Sequence, residues 1–380
     1  MGLWLGDIIG RWLYKTDQQK LAPSAQEPVT PPIANTSTPM PMDAADQFLA
    51  ACRASGSATK QAGIRQTWNG FVQAARQSDE ALLKVATTLP ALAPESAGWA
   101  AIAIGAVIEA RGDARISAPF VIGLLQDWIS ELPQQQTDAD ANDESGSPPS
   151  LPVLDARQDA IAANLAQLCQ ASVAHLARLE DMRAELRQTE GLLDRLLELQ
   201  VYSHGPRWVH EALIRESGTM LVLATAERKG FRVRYRNVGT CFHFFTLLQQ
   251  ALAEQLAVGR AVDPSVIEIA QGEYSANASD SAWWHYGSAR SNTPNPVASI
   301  WGEAPVSQID EVNGERVMLL WPPIFKGRSW DAGFFGPQLA AMPPSVSIDE
   351  ALTQESCEAW FATLRIDPVN PASHVPTQAG

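Results

Sequence analysis

The sequence predicts a multidomain chain: an all-α front part, a long central helix with coiled-coil character, and an α+β back part. Three observations predict it. Between 43 and 133, apolar residues recur at helical spacing in helix-length segments divided by Gly, Pro and Ser. Residues 156–200 contain no proline and carry apolar residues on a 3-4 spacing. Residues 201–366 bring strand-length runs flanked by turn residues.

Composition bounds the reading. A chain of 380 residues with 46% hydrophobic and 18% charged residues is long and apolar enough for two or three cores, since domains run to about 100–200 residues. The formal charge of −14, with 28 Lys and Arg against 42 Asp and Glu, argues against general nucleic-acid binding, which draws on Lys and Arg displacing phosphate counterions. Cys52, Cys169, Cys241 and Cys357 form no C-x-x-C pair, which predicts buried free thiols in a reducing compartment, the cytoplasm by default. Asp7 and Arg11 interrupt the apolar N-terminus, so no signal peptide is expected there. The apolar run over 98–110 is too short to cross a bilayer, which takes about 20 residues.

In residues 1–15, Leu5, Ile8, Ile9 and Trp12 fall at the i, i+3, i+4, i+7 spacing of an amphipathic helix. Such a peptide docks in a partner's groove, lies on a membrane surface or folds back on its own body. Arg11 and Lys15 against Asp7 give little attraction to anionic lipid. Residues 16–42, rich in Pro, Ser and Thr, form a flexible tether.

Five helices follow in 43–133, centred on DAADQFLAACRAS, IRQTWNGFVQAAR, DEALLKVATTLPAL, GWAAIAIGAVIEARG and SAPFVIGLLQDWISEL. Ser78 and Ser117 are placed to cap the third and fifth, with Pro119 in the first turn of the fifth. Trp68, Trp99 and Trp128 belong to the core of a small bundle or, as the alternative, of a HEAT-like stack of helix pairs. Residues 134–155 open with a polar, acidic stretch that marks a solvated linker.

Over 156–200, Leu165, Leu168, Ser172, His175, Leu179, Met182, Leu186, Thr189, Leu193 and Leu196 make a heptad-like seam. One continuous helix would run about 65 Å at ~1.5 Å per residue. It either dimerises as a coiled coil or breaks near Gly191 and packs on its neighbours. His175 reads as a polar residue tolerated in the seam.

In 201–366, Pro206 opens and Gly218 closes a helix; TMLVLAT and FRVRYRNV form a hairpin; Asn313-Gly314 joins a second hairpin through a type I′ turn; and TQESCEAWFATL makes a closing helix. Residues 367–380 are a tail.

The stretch FRVRYRNVGTCFHFF carries the clearest chemical signal. In a strand, Arg232, Arg234 and Arg236 share one face while Phe231, Val233 and Tyr235 share the other. With Arg228 and Lys229 they put five basic residues in nine positions. A helix starting after Thr240 would bring free N–H groups beside them, an anion-binding arrangement. The alternative is a solvated strand face paired with acidic residues from elsewhere in the chain. Cys241 and His243, two apart on a helix, point away from each other and make no catalytic pair. Cys241, Phe245, Leu248 and Leu252 share a core face, while His243 is placed either to reach a ligand held by the arginines or as a structural residue. HEALI at 210–214 has Ile214 where a zinc-protease helix needs its second His. No metal site or cofactor is expected, and no phosphate-binding, dinucleotide or nucleophile-elbow motif occurs.

The aromatic loops over 281–335 form the second candidate, a recognition surface of Trp283, Trp284, His285, Trp301, Glu303, Lys326, Arg328 and Trp330, or else a small irregular core. GWAAIAIGAVIEARG, FRVRYRNVGTCFHFFTLL and SIWGE followed by GERVMLLWPP resemble, over about two thirds of the chain, a group of bacterial proteins with a helical front half and an aromatic α+β back half. That resemblance implies a bacterial, modular protein and transfers no activity or site.

These features lead to an adaptor or regulatory component that works through a protein partner, with a homo-oligomer through 156–200. An enzyme or sensor holding a small anion at 228–236, with Glu303 or His243 as acid or base, is the alternative. A membrane-peripheral protein using residues 1–15 is the third reading.

Overall fold

The computed structural model describes residues 41–54, 57–110, 112–134, 152–256, 262–272, 278–281, 283–324, 328–335 and 341–367. Residues 1–15, the tether up to residue 40, most of the acidic linker, Lys326 and the tail beyond 367 lie outside them.

The front part is helical. α1 (Pro41–Arg53), α2 (Ser57–Ala75), α3 (Asp79–Thr88), α4 (Pro94–Glu109) and α5 (Ala114–Glu131) match the five expected segments. Ser78 caps α3, its Oγ accepting the Ala81 N–H at 3.3 Å. Ser117 does not cap α5: Asp113 does. Because α5 begins four residues earlier than expected, Ser117 lies inside it, buried, and Pro119 stands within the helix. Trp128 is buried in the core, while Trp68 and Trp99 pack half-buried against it.

Residues 156–200, expected as one long helix or as one broken near Gly191, form three: α6 (Ala156–Leu176), α7 (Glu180–Arg187) and α8 (Leu192–Glu198). The first break has donors ready for the carbonyls it releases. Arg183 gives Nη1 to the Leu176 carbonyl at 2.6 Å, and Arg178 gives Nη1 to Ala174 at 2.9 Å. Gly191, at φ 70°, makes the second break. The apolar seam is filled within the chain, because Leu165, Leu168, Leu186 and Leu196 share one core with α1 to α5. α4 and α6 run close together at Gly105, where a Cβ would lie 3.1 Å from the Ala171 Cα. His175 is buried and satisfied, with Nδ1–H to the Ala171 carbonyl at 2.7 Å and Nε2 accepting from Ser117 at 2.8 Å. Leu165→Ala is therefore expected to reduce the unfolding free energy by about 2–5 kcal/mol, independent of protein concentration. Chemical denaturation over a hundredfold concentration range checks this, and a concentration-dependent midpoint would return the seam to a coiled coil between chains.

α9 (Gly205–Leu213) leads into the back part. Gly218, expected to close that helix, stands instead in β1 (Glu216–Ala224), against the Tyr235 hydroxyl. β1 pairs antiparallel with β2 (Lys229–Val238), the expected hairpin. α10 (Cys241–Leu252) and α11 (Pro264–Gln271) follow. β3 (Ser279–Ser281), β4 (His285–Ser288), β5 (Glu311–Val312), β6 (Glu315–Trp321), β7 (Ser329–Asp331), β8 (Ser345–Ala351) and α12 (Gln354–Thr363) complete the order. The main sheet runs β4-β6-β1-β2-β8, parallel only between β1 and β6. β5 and β6 form the Asn313-Gly314 hairpin, both turn residues having positive φ, 53° and 81°. β3 and β7 pair separately.

The sheet alternates as its sequence does. Met220, Val222, Phe231, Val233 and Tyr235 face α10 and the aromatic loops. Leu221, Leu223, Val317, Leu319 and Trp321 face α12 through Cys357 and Phe361. Among the described residues no helix is long and apolar enough to cross a membrane.

Candidate functional site

The basic strand face comes with its own counter-charges. Arg232 forms a bidentate pair with Glu315 at 2.9 and 3.1 Å and reaches Glu350 at 2.6 Å. Arg234 meets Asp349 at 2.7 Å, and Arg228 is paired with Glu358 while its guanidinium lies 3.9 Å from the Phe361 ring centroid. Arg236 is exposed and has no ion pair among the described residues. Three of the arginines thus bind carboxylates of β6, β8 and α12, the arrangement of a solvated strand face.

The helix after Thr240 forms but lies across the sheet from those arginines. Arg232, Arg234 and Arg236 alternate with Phe231, Val233 and Tyr235, and it is the latter three that share a core with α10. The first N–H groups of α10 are also occupied. Cys241 donates to the Ala304 carbonyl at 2.9 Å, Phe242 to Gly302 at 2.8 Å and His243 to Thr240 Oγ1 at 3.3 Å. Thr240 is a helix cap, and the helix end offers no open donor for an anion.

His243 is sealed. Its Nε2 donates to the Ala270 carbonyl at 2.6 Å, its Nδ1 accepts from the Gly239 N–H at 3.2 Å, and its ring stacks on Phe335. Burial, and then the Arg215 guanidinium 3.3 Å away, push its pKa down to about 3. A fully buried imidazole with both nitrogens engaged neither reaches a ligand on the far face nor serves as acid or base. Burial likewise raises the Cys241 thiol to about 12. In native protein all four cysteines, which are buried and free, are expected to react with iodoacetamide far more slowly than after unfolding. Fast native labelling at Cys241 would contradict its burial.

The aromatic loops divide sharply. Trp283, Trp284 and Trp330 are buried in the core that α10 shares with the sheet, and Trp321 is buried on the opposite face. His285 is buried beside Trp321 across the strand pair. Burial, then the half-buried Arg328, push its pKa down to about 4. Glu303 is exposed, and Trp301 is 70% exposed.

Trp301 is among the residues lining a 380 Å³ cleft. It is lined by residues of the turn over 297–300, where Val297 is 93% exposed, by residues between 304 and 310, and by the buried Cys241. At one end Asp310 accepts from Ser288 and pairs with Arg290 at 2.5 Å, and the Arg290 side chain is 83% exposed. The cleft therefore offers an exposed indole and an isopropyl group beside a charged pair. Among the described residues, no cluster of His, Cys, Asp or Glu could hold a metal ion.

The predicted recognition residues thus scatter: Trp301 lines the cleft, Glu303 lies beside Trp301 in sequence, Trp283, Trp284 and Trp330 are buried in the core on the α10 side of the sheet, and His285 is buried on the other side with Trp321. Ser288, Arg290, Val297 and Asp310 were not singled out in the sequence. The only local signal there is the turn-rich run SNTPNP at 291–296. Comparison with family models, with curated proteins and with solved structures found no match.

Proposed function

We propose that the chain is a non-catalytic adaptor or regulatory component, and that the Trp301 cleft is its contact with a protein partner. One observation carries the reading: a tryptophan 70% exposed and a valine 93% exposed line one cleft, and the backbone that follows the tryptophan is held by hydrogen bonds from α10 to Gly302 and Ala304. Tryptophan offers large contact area with few rotatable bonds, which is why it dominates binding energy where it is buried by a partner. The N-terminal peptide with Leu5, Ile8, Ile9 and Trp12 would supply a second, separate contact.

The test places a photo-crosslinking amino acid at Val297 in the full chain in cells and identifies what it captures. The captured protein is then titrated against purified wild type and Trp301→Ala. A loss of about thirtyfold or more in affinity is expected, the size of a binding hot spot. Unchanged affinity in a folded Trp301→Ala protein, or capture only of small metabolites, would overturn the proposal.

A further inference from the structure

The segment over 301–310, which carries Trp301 and one cleft wall, is pinned at two places. One is the start of α10, through Ala304 and Gly302; Gly302 lies so close to the Phe242 ring that a Cβ would be 2.3 Å from it. The other is Glu216, the first residue of β1. Its buried carboxylate accepts the Ser307 N–H and the Ser307 hydroxyl, both at 2.6 Å. The same carboxylate accepts Arg187 Nη1 at 3.2 Å.

Arg187 belongs to α7, whose Leu186 is part of the helical core. Its guanidinium also donates to the Leu213 carbonyl at 2.7 Å and the Arg215 carbonyl at 2.8 Å, bracing the link from α9 into β1. Arg183, one turn earlier, reaches Asn237 at the end of β2 at 3.2 Å. One buried anion is thus shared between the helical core and the cleft wall. A buried carboxylate needs its donors, so a shift of α7 changes what remains for Ser307.

We propose that Glu216 is a positioning residue through which the helical part sets the geometry of the Trp301 cleft, so that a displacement of α7 is felt at the cleft. The proposal rests on the cleft being the contact surface, but its test needs no partner.

The experiment follows hydrogen exchange of the Ser307 amide and acrylamide quenching of Trp301, the latter as the difference between each protein and its Trp301→Phe counterpart. Arg187→Met touches nothing in the cleft. It is expected to speed Ser307 exchange roughly tenfold or more, because a buried carboxylate stripped of its arginine is uncompensated and no longer held in place under Ser307, and to change the Trp301 quenching constant. Arg187→Lys, which keeps the charge, should restore part of both. Arg195→Met removes another arginine that braces carbonyls of the helical part, and should leave both readouts at wild-type values. Unchanged Ser307 exchange in Arg187→Met, or an equal change in Arg195→Met, overturns the proposal. If Arg187→Met does not accumulate folded, Arg187→Lys is read instead, where intermediate acceleration supports the coupling and none refutes it. A Trp301→Ala protein that keeps its partner would sink the contact reading and leave the exchange result standing.

Discussion

Trp330→Ala is expected to lower the unfolding free energy by about 3–5 kcal/mol, whereas Trp301→Ala should stay within about 0.5 kcal/mol of wild type. Both residues come from one aromatic stretch of sequence, and burial separates them. The Trp330 ring packs with Phe242 at 5.2 Å, Phe245 at 5.8 Å and Tyr286 at 6.1 Å between centroids. Behind them Phe245 stacks on Tyr286 at 3.7 Å. The Trp330 Nε1–H donates to Thr246 Oγ1 at 2.8 Å, so truncation opens a cavity and also leaves a buried hydroxyl without its donor. Urea denaturation of the two variants side by side measures the difference. Wild-type stability in Trp330→Ala would remove that residue from the core.

Acid should unfold the protein through its histidines before its carboxylates take over. His175 and His243 are buried, and burial is the first cause that holds their pKa values down to about 4 and about 3. In the unfolded chain both titrate near 6.5. The sign follows from the depressed folded values. Above about pH 6.5 both states are neutral and the stability is complete; as pH falls from there toward 4 the unfolded chain takes up protons that the folded one refuses. Two such groups give a slope approaching two protons, about 3 kcal/mol per pH unit, and His285, down at about 4, adds to it. Below that range Glu131 and Glu358, held low by hydrogen bonds from Arg157 and Arg228, extend the loss. Denaturation curves at pH 7.5, 6.0 and 5.0 read the slope directly. His243→Gln, whose amide can keep a donor toward the Ala270 carbonyl, should lower it by close to one proton. A stability flat between pH 7.5 and 5.0 would overturn the account.

Local rules carried much of the fold. The alternation of FRVRYRNV faithfully marked which side chains enter the core, because strand geometry sends neighbours to opposite faces whatever surrounds them. Asn313-Gly314 marked a turn, and Ser78 a cap, through backbone conformation and a side-chain oxygen, both short-range properties. The helix starts at Ser117 and the helix stop at Gly218 misled for the complementary reason. Asp113 offered an earlier cap, and Gly218 is required by the Tyr235 hydroxyl on the neighbouring strand, a contact no nearby residue announces.

By itself, then, the sequence determined the helical and α+β character, the five front helices, the two hairpins and the two-faced β2 strand, since each depends on residues within a turn or a strand of one another. Tertiary structure alone decided the rest. It added a break after Leu176 to the one the sequence offered at Gly191, and buried the seam within the chain, because α1 to α5 present an apolar surface that those leucines fill. It matched the arginines with Glu315, Asp349, Glu350 and Glu358, sealed His243 beneath Phe335, and left Trp301 outside while taking Trp283, Trp284, Trp321 and Trp330 in. Charge pairing, burial and exposure are properties of neighbours far apart in the chain, and sequence spacing does not encode which of them meet.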